Sequence, residues 1–398
     1  MRRLFLHIGS HKTGTTTVQD TLHANMAVLA ERGLAVAEGP SMPNLHQYVE
    51  YANPAAILPG GYKTHEPVKF AKLLASEKSD QVFGSSENFS FFFQQAAVDA
   101  LAAVLKARFD EIRIIAYLRR QDRHAISHHQ EGARPNRKPE GLLWGHSLSA
   151  LPEPAPQQRL YLDYDRRIGL WENAFGRDAL RIRVFDRALL QDGDVVPDIL
   201  ALMGIDPAGL VRVPDSNLSL DRLMATVGHL ANQALDDSAV TRKLLRALPQ
   251  HEDRMAPSAA EAEAFLAPYR EGNRRLNQRL KITDLPDLFP GDFSDYPEVA
   301  SQELSHAEAI EGLRGVIAAL GPGWAVLQSL TANDLRLAAA ALQQNAPESA
   351  LRLIQSAAVL RPTGPAIVKL LGELEVRLGK KNPSNEGGKV GQTHALSS

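Results

Sequence analysis

The chain has no cysteine, which removes disulfides, thiolate nucleophiles and thiolate metal sites from its chemistry. That absence decides nothing about compartment. An excess of charge of either sign is also lacking: 44 Lys and Arg stand against 46 Asp and Glu, a formal net charge of -2. No overall basic field gathers nucleic acid, so any anion site must be local and no nucleic-acid partner is expected. Long hydrophobic runs are missing as well. The opening Met1-Arg-Arg-Leu-Phe-Leu-His-Ile-Gly9 has too short an apolar stretch for a secretory signal, and charges interrupt every later apolar stretch before it reaches spanning length. No transmembrane segment is expected, and the expected location is cytoplasmic.

What is present is 398 residues, 44% hydrophobic, enough for one large domain with an appendage or for two or three smaller ones. Residues 4–8 read as a short buried strand, and Thr15 to about Ala30 as a helix with Val18, Leu22, Met26 and Leu29 at helical spacing. A second buried strand is expected at Gln81–Ser86 after a helix across Val68–Ala75. The amphipathic stretch 94–108 leads to a strand over Glu111–Leu118, then Arg119-Arg120 and a helix from about Asp122 to Gln130. After a Pro-rich polar stretch, Arg134 to Gln158, come a helix near Tyr164–Phe175, a strand over Leu180–Phe185 and a helix at Val195–Met203. This alternation predicts an α/β fold, a parallel central sheet flanked by helices, with ligands beyond the carboxyl ends of the strands. The strand ends brought into view are Gly9, Ser86 and Leu118.

From about Leu218 the pattern is helical, and Pro286–Pro297 reads as an irregular closing segment, placing the end of the α/β domain near residue 300. Residues 301–379 form a C-terminal α-helical extension. Its candidate helices lie at about 302–320, 332–344, 347–360 and 364–378, and one helix-turn-helix-repeat unit over Thr331–Gly379 offers a surface for a protein partner. The tail 380–398 is polar and expected to be disordered.

Chemistry concentrates in the first loop. Gly9 permits a sharp exit from the strand, Gly14 lets backbone amides approach an anion, and Thr15, Thr16 and Thr17 offer hydroxyls at a helix N-terminus. With Ser10, Lys12 and Thr13 they make a candidate cradle for a phosphate or phosphosulfate group, Lys12 supplying the mobile charge. The alternative is a plain turn and helix cap. Lysine here precedes the second glycine, unlike G-x-x-x-x-G-K-[ST], and position 15 is Thr. That order argues against ATP or GTP hydrolysis.

Lys12-Thr13-Gly14-Thr15-Thr16 after a strand resembles the first loop of sulfotransferases that use 3′-phosphoadenosine 5′-phosphosulfate (PAPS). The resemblance covers roughly residues 1–295. It implies a P-loop-like fold and a second grip on the donor's 3′-phosphate from an Arg at a strand end and a Ser eight residues later. Arg119 and Ser127 match that spacing, although Arg120-Gln121 stands where the family often has Asn-Pro or Asp-Pro, which leaves either arginine a candidate. By themselves Arg119 and Arg120 read equally as solvated basic residues. The stretch from Tyr164 through Trp171, Phe175 and Arg183 to Ile205 also looks like the family's, as fold more than chemistry.

Glu87, in Ser85-Ser86-Glu87-Asn88, stands at a strand end beside the expected loop position. It is the candidate general base, as the resemblance to carbohydrate sulfotransferases implies, or a surface or capping carboxylate. His124 and His128 have i,i+4 spacing without H-E-x-x-H or a third ligand, so no metal is assigned to them. His7 reads as a hydrogen-bonded core residue and His11 as a candidate acceptor contact. Phe89 and Phe91–Phe93 are either core or an acceptor entrance. The resulting expectation is sulfuryl transfer from PAPS to an acceptor hydroxyl of a carbohydrate, lipid or small molecule, with a histidine as the alternative base to Glu87. A P-loop nucleotide kinase and a nucleotide-sensing helical-repeat protein are the alternatives.

Overall fold

In the computed structural model, the residues described are 1–37, 49–51, 62–64, 66–135, 145, 147–214, 220–235, 238–320 and 332–380. The tail from residue 381, much of 40–65 and part of the Pro-rich stretch 134–158 lie outside them. The chain divides into two compact units, Met1–Val316 and Ile317–Ser398.

The first unit is built on β1 (Arg3–His7), β2 (Leu34–Val36), β5 (Gln81–Ser85), β6 (Glu111–Leu118) and β7 (Leu180–Val184), while β3 (Val49–Tyr51) and β4 (Tyr62–Thr64) form a separate antiparallel pair. The five strands pair in parallel in the order β2-β5-β1-β6-β7. Alternation of side chains explains why β1 is central. Leu4 and Leu6 enter one core with Val82, Ile114 and Leu118, under the helices Gln95–Lys106 and Tyr164–Phe175, while Phe5 enters another with Val18, Leu22, Phe83 and Ile199. Both faces are therefore covered. The order reverses around β1, between β5 and β6, which is where a parallel sheet opens a crevice at its carboxyl ends.

The expected single helix from Thr15 to Ala30 is broken. It forms as Thr15–Ala24 and Met26–Glu31, because Asn25 leaves helical geometry at φ −115° and ties Thr21 O (2.7 Å) to Val211 O (2.8 Å) through its side-chain amide. The closing segment Pro286–Pro297 has no helix or strand, yet Leu288 and Phe289 are buried in the main core. Helix His306–Leu320 begins in the first unit, held by the ion pair of Glu308 with Arg222 at 2.6 Å.

The second unit contains the helices Ala332–Leu342, Pro347–Leu360 and Pro365–Arg377 around a core of Ala339, Leu351, Ile354, Ile367 and Leu370. No described helix is long and apolar enough to cross a membrane.

Candidate active site

The first loop leaves β1 still paired to β6: Ser10 N donates to Tyr117 O at 3.0 Å and Tyr117 N to Gly9 O at 2.8 Å. Gly9 has φ 92°, and a Cβ there would lie 2.6 Å from Ser90 Oγ and 3.0 Å from Glu87 Cα, so only glycine fits between the loop and the end of β5. Lys12 is left-handed at φ 60°, and Gly14, at φ 75°, caps the helix Thr15–Ala24. Positive φ at Gly9, Lys12 and Gly14 turns the chain from β1 into the N-terminus of the helix Thr15–Ala24.

The loop is braced from within. Thr13 Oγ1 and Thr15 Oγ1 both donate to Ser10 O, at 2.7 and 3.1 Å, so in this structure those hydroxyl protons hold the loop. Thr16 is exposed and Thr17 buried. Lys12 reaches across to the helix Gln121–Gly132 and pairs with Glu131 at 2.9 Å, both side chains being largely buried. Ser127, half-buried, lies one turn earlier on that helix face, and Arg119 donates to Lys12 O at 3.2 Å. The loop, the end of β6 and the following helix thus bring Lys12, Arg119 and Glu131 into contact, with Ser127 one turn before Glu131.

The two arginines are treated differently. Arg120 is buried and clasps Asp122 through Nε (2.8 Å) and Nη2 (2.9 Å), donates to Pro290 O at 3.0 Å, and packs over Phe293 at 4.2 Å. It anchors the closing segment. Among the described residues no carboxylate clasps Arg119; burial lowers its guanidinium from its ordinary value, and its side chain lies over Phe185 at 5.8 Å.

Glu87 begins a short 3-10 turn, Glu87–Phe91, directly after β5. Its Oε2 accepts from Gln19 Nε2 at 3.3 Å, and the same amide donates to Ser85 Oγ at 3.0 Å, which meets His7 Nδ1 at 2.9 Å. His7 is fully buried, and desolvation, opposed only in part by Glu87, lowers its pKa to about 4. It is a neutral anchor beneath Glu87, as a hydrogen-bonded core residue.

His124 and His128 are both buried, on the side of their helix facing His11. His11 and His128 stack at 5.7 Å, His11 Nδ1 meets Tyr161 OH at 3.2 Å, and His124 Nδ1 meets Tyr164 OH at 2.9 Å. Burial first, then the neighbouring His128, Arg167, Arg119 and His11, holds His124 well below its ordinary value. Among the described residues no group of three or more metal-ligating side chains is arranged around an ion site. Phe89 and Phe92 belong to the main core, while Phe91 packs against His11 (4.6 Å) and Tyr161 (4.9 Å) at the edge of this cluster.

Three residues that the sequence reading passed over join the site: Gln19 under Glu87, Glu131 against Lys12, and Arg167, whose Nη2 donates to Ser10 Oγ at 2.7 Å. A signal for the last is visible in the chain. Tyr164, Arg167, Ile168 and Trp171 share one helical stripe and all are buried, so a charge sits on an apolar face.

No protein-family model matches the chain. An uncharacterized protein of Archaeoglobus fulgidus is 28% identical over 174 residues, 41% of this chain and 44% of that protein, so the match spans less than half of that relative's length. A solved sulfotransferase from Alicyclobacillus acidocaldarius superposes over 71% of this chain and 97% of its own, with a TM-score of 0.41 and 15% identity.

Proposed function

We propose that the protein is a sulfotransferase that moves the sulfuryl group of PAPS to an acceptor hydroxyl. The observation that carries the reading is the convergence of two cationic groups on one loop. Lys12 comes from a glycine-bounded loop at a helix N-terminus, and Arg119 comes from the end of the neighbouring strand, its side chain bonded to the same loop. A donor with an anionic group at each end needs two such grips, whereas a triphosphate cradle would carry its lysine after the second glycine.

PAPS, when bound, supplies a sulfuryl group on a phosphate leaving group. With the Ser10 and His11 amides already given to Tyr117 O and Tyr161 OH, loop amides from Lys12 to Thr17 and the Thr16 hydroxyl would hold the 5′-phosphate end, and Arg119 with Ser127 the 3′-phosphate. Lys12 would exchange Glu131 for the bridging oxygen and stabilise charge there as the S–O bond breaks. Glu87 would take the acceptor hydroxyl's proton as that oxygen forms its bond to sulfur, with Gln19 steadying the carboxylate and buried, neutral His7 supporting Ser85 below it. Carbohydrates, lipids and small hydroxylated molecules all remain candidate acceptors, and the helices beyond residue 316 a candidate surface for a protein partner.

The test is transfer of labelled sulfate from PAPS to a panel of hydroxylated acceptors. Label incorporation that falls about 100-fold or more in Glu87→Gln, with donor affinity kept, supports the reading; equal incorporation by Glu87→Gln removes Glu87 from the mechanism.

A further inference from the structure

Arg167 is 3% exposed, on the helix Tyr164–Phe175, and brings a guanidinium cation into the interior. Its polar contacts are with neutral groups: Ser10 Oγ at 2.7 Å and Ser90 O at 3.5 Å, with the rings of Tyr161 and Tyr164 at 4.6 and 5.0 Å from its guanidinium carbon. The acids of its own helix face elsewhere. Asp165 pairs with Arg275 and Arg279, and Glu172 with Arg177 and Arg279. Among the described residues no carboxylate forms an ion pair with Arg167.

A buried charge without a counter-ion is costly, and two aromatic faces offset only part of that cost. Arg120 shows how the same fold handles a buried arginine that serves the scaffold: it receives a bidentate carboxylate and backbone carbonyls. Arg167 instead receives the hydroxyl of the first loop. Because Ser10 Oγ accepts from a cation, its own proton is left to donate and is polarised for doing so.

We propose that Arg167 is the fixed counter-charge of a tetrahedral oxyanion, a sulfonate or phosphate group, bound in the loop Gly9–Thr17, and that it acts through the Ser10 hydroxyl as a positioning residue. The protein holds the charge unpaired until the ligand neutralises it. The inference rests on the reading of that loop as an anion site, and it adds a residue that neither the loop motif nor the Arg119–Ser127 spacing contains.

The experiment follows thermal unfolding and ligand titration of the full chain, using wild type, Arg167→Met and Arg167→Lys, with inorganic pyrophosphate and 3′-phosphoadenosine 5′-phosphate as probes. Removing an unpaired buried charge should leave the ligand-free midpoint unchanged or raise it by about 2–4 °C, while affinity for the probes falls about tenfold or more. Arg167→Lys should keep part of that affinity. A Met variant that is less stable or unfolded, or one that binds both probes as wild type does, overturns the proposal. Failure of the donor reading looks different: pyrophosphate then binds in an Arg167-dependent way and the adenosine compound binds no better. If neither probe binds the wild type, both readings fall.

Discussion

Lys12 Nζ lies 2.9 Å from Glu131 Oε2, so the mobile cation of the first loop is held by a carboxylate from the helix after β6. An incoming anion has to replace that carboxylate, and Glu131 also pairs with Arg134 at 3.2 Å, which gives it somewhere to go. Glu131→Gln should therefore tighten binding of 3′-phosphoadenosine 5′-phosphate by about 3- to 10-fold, the size of a partly buried ion pair released. Weaker binding in that variant would show that Glu131 belongs to the ligand's own contacts.

Arg119 and Arg120 are neighbours in sequence with opposite assignments. Arg119→Ala should weaken binding of the same nucleotide about 10- to 100-fold with little change in melting temperature. Arg120→Ala leaves buried Asp122 without its cation, held among the described residues only by the Tyr296 hydroxyl at 2.6 Å, and loosens Pro290 and Phe293, so it should cost about 3–5 kcal/mol of stability. Denaturant unfolding alongside titration separates the two, and the reverse pattern would exchange their roles.

The pH dependence of stability follows from His7. Its folded pKa, about 4, lies below the unfolded value of 6.5, so between these limits the unfolded chain binds the extra proton. Stability is then fully present above pH 6.5 and is lost as pH falls toward 4, by about 3 kcal/mol at most from this group. His124, also held down, adds a loss of the same sign. His7→Gln should flatten that part of the profile in urea melts taken at successive pH values; an unchanged slope would move its origin elsewhere.

How much of this was readable in the chain depends on distance along it. β1, β5, β6 and β7 announce themselves as apolar runs bounded by polar residues, and the loop from Gly9 to Thr17 is a local pattern whose strand and helix are next to it. β2 escaped because Leu34–Val36 is three residues long, shorter than any run that periodicity resolves, and the paired segments β3 and β4 are no longer. Arg167 meets Ser10 across 157 positions, and Lys12 meets Glu131 across 119. Such partners are fixed by the sheet order and by which helix faces pack, not by spacing. Asn25 makes the same point for a boundary: its contact with Val211 ends a helix that the apolar spacing alone continues.

The central claim is that the crevice holds a two-ended donor and not a triphosphate, and calorimetry with 3′-phosphoadenosine 5′-phosphate against ATP tests it most directly. The account predicts saturable, metal-independent binding of the former, at least about tenfold tighter than ATP, lost in large part in both Lys12→Ala and Arg119→Ala. Absence of that binding, tighter binding of ATP, or unchanged affinity in both variants would contradict it.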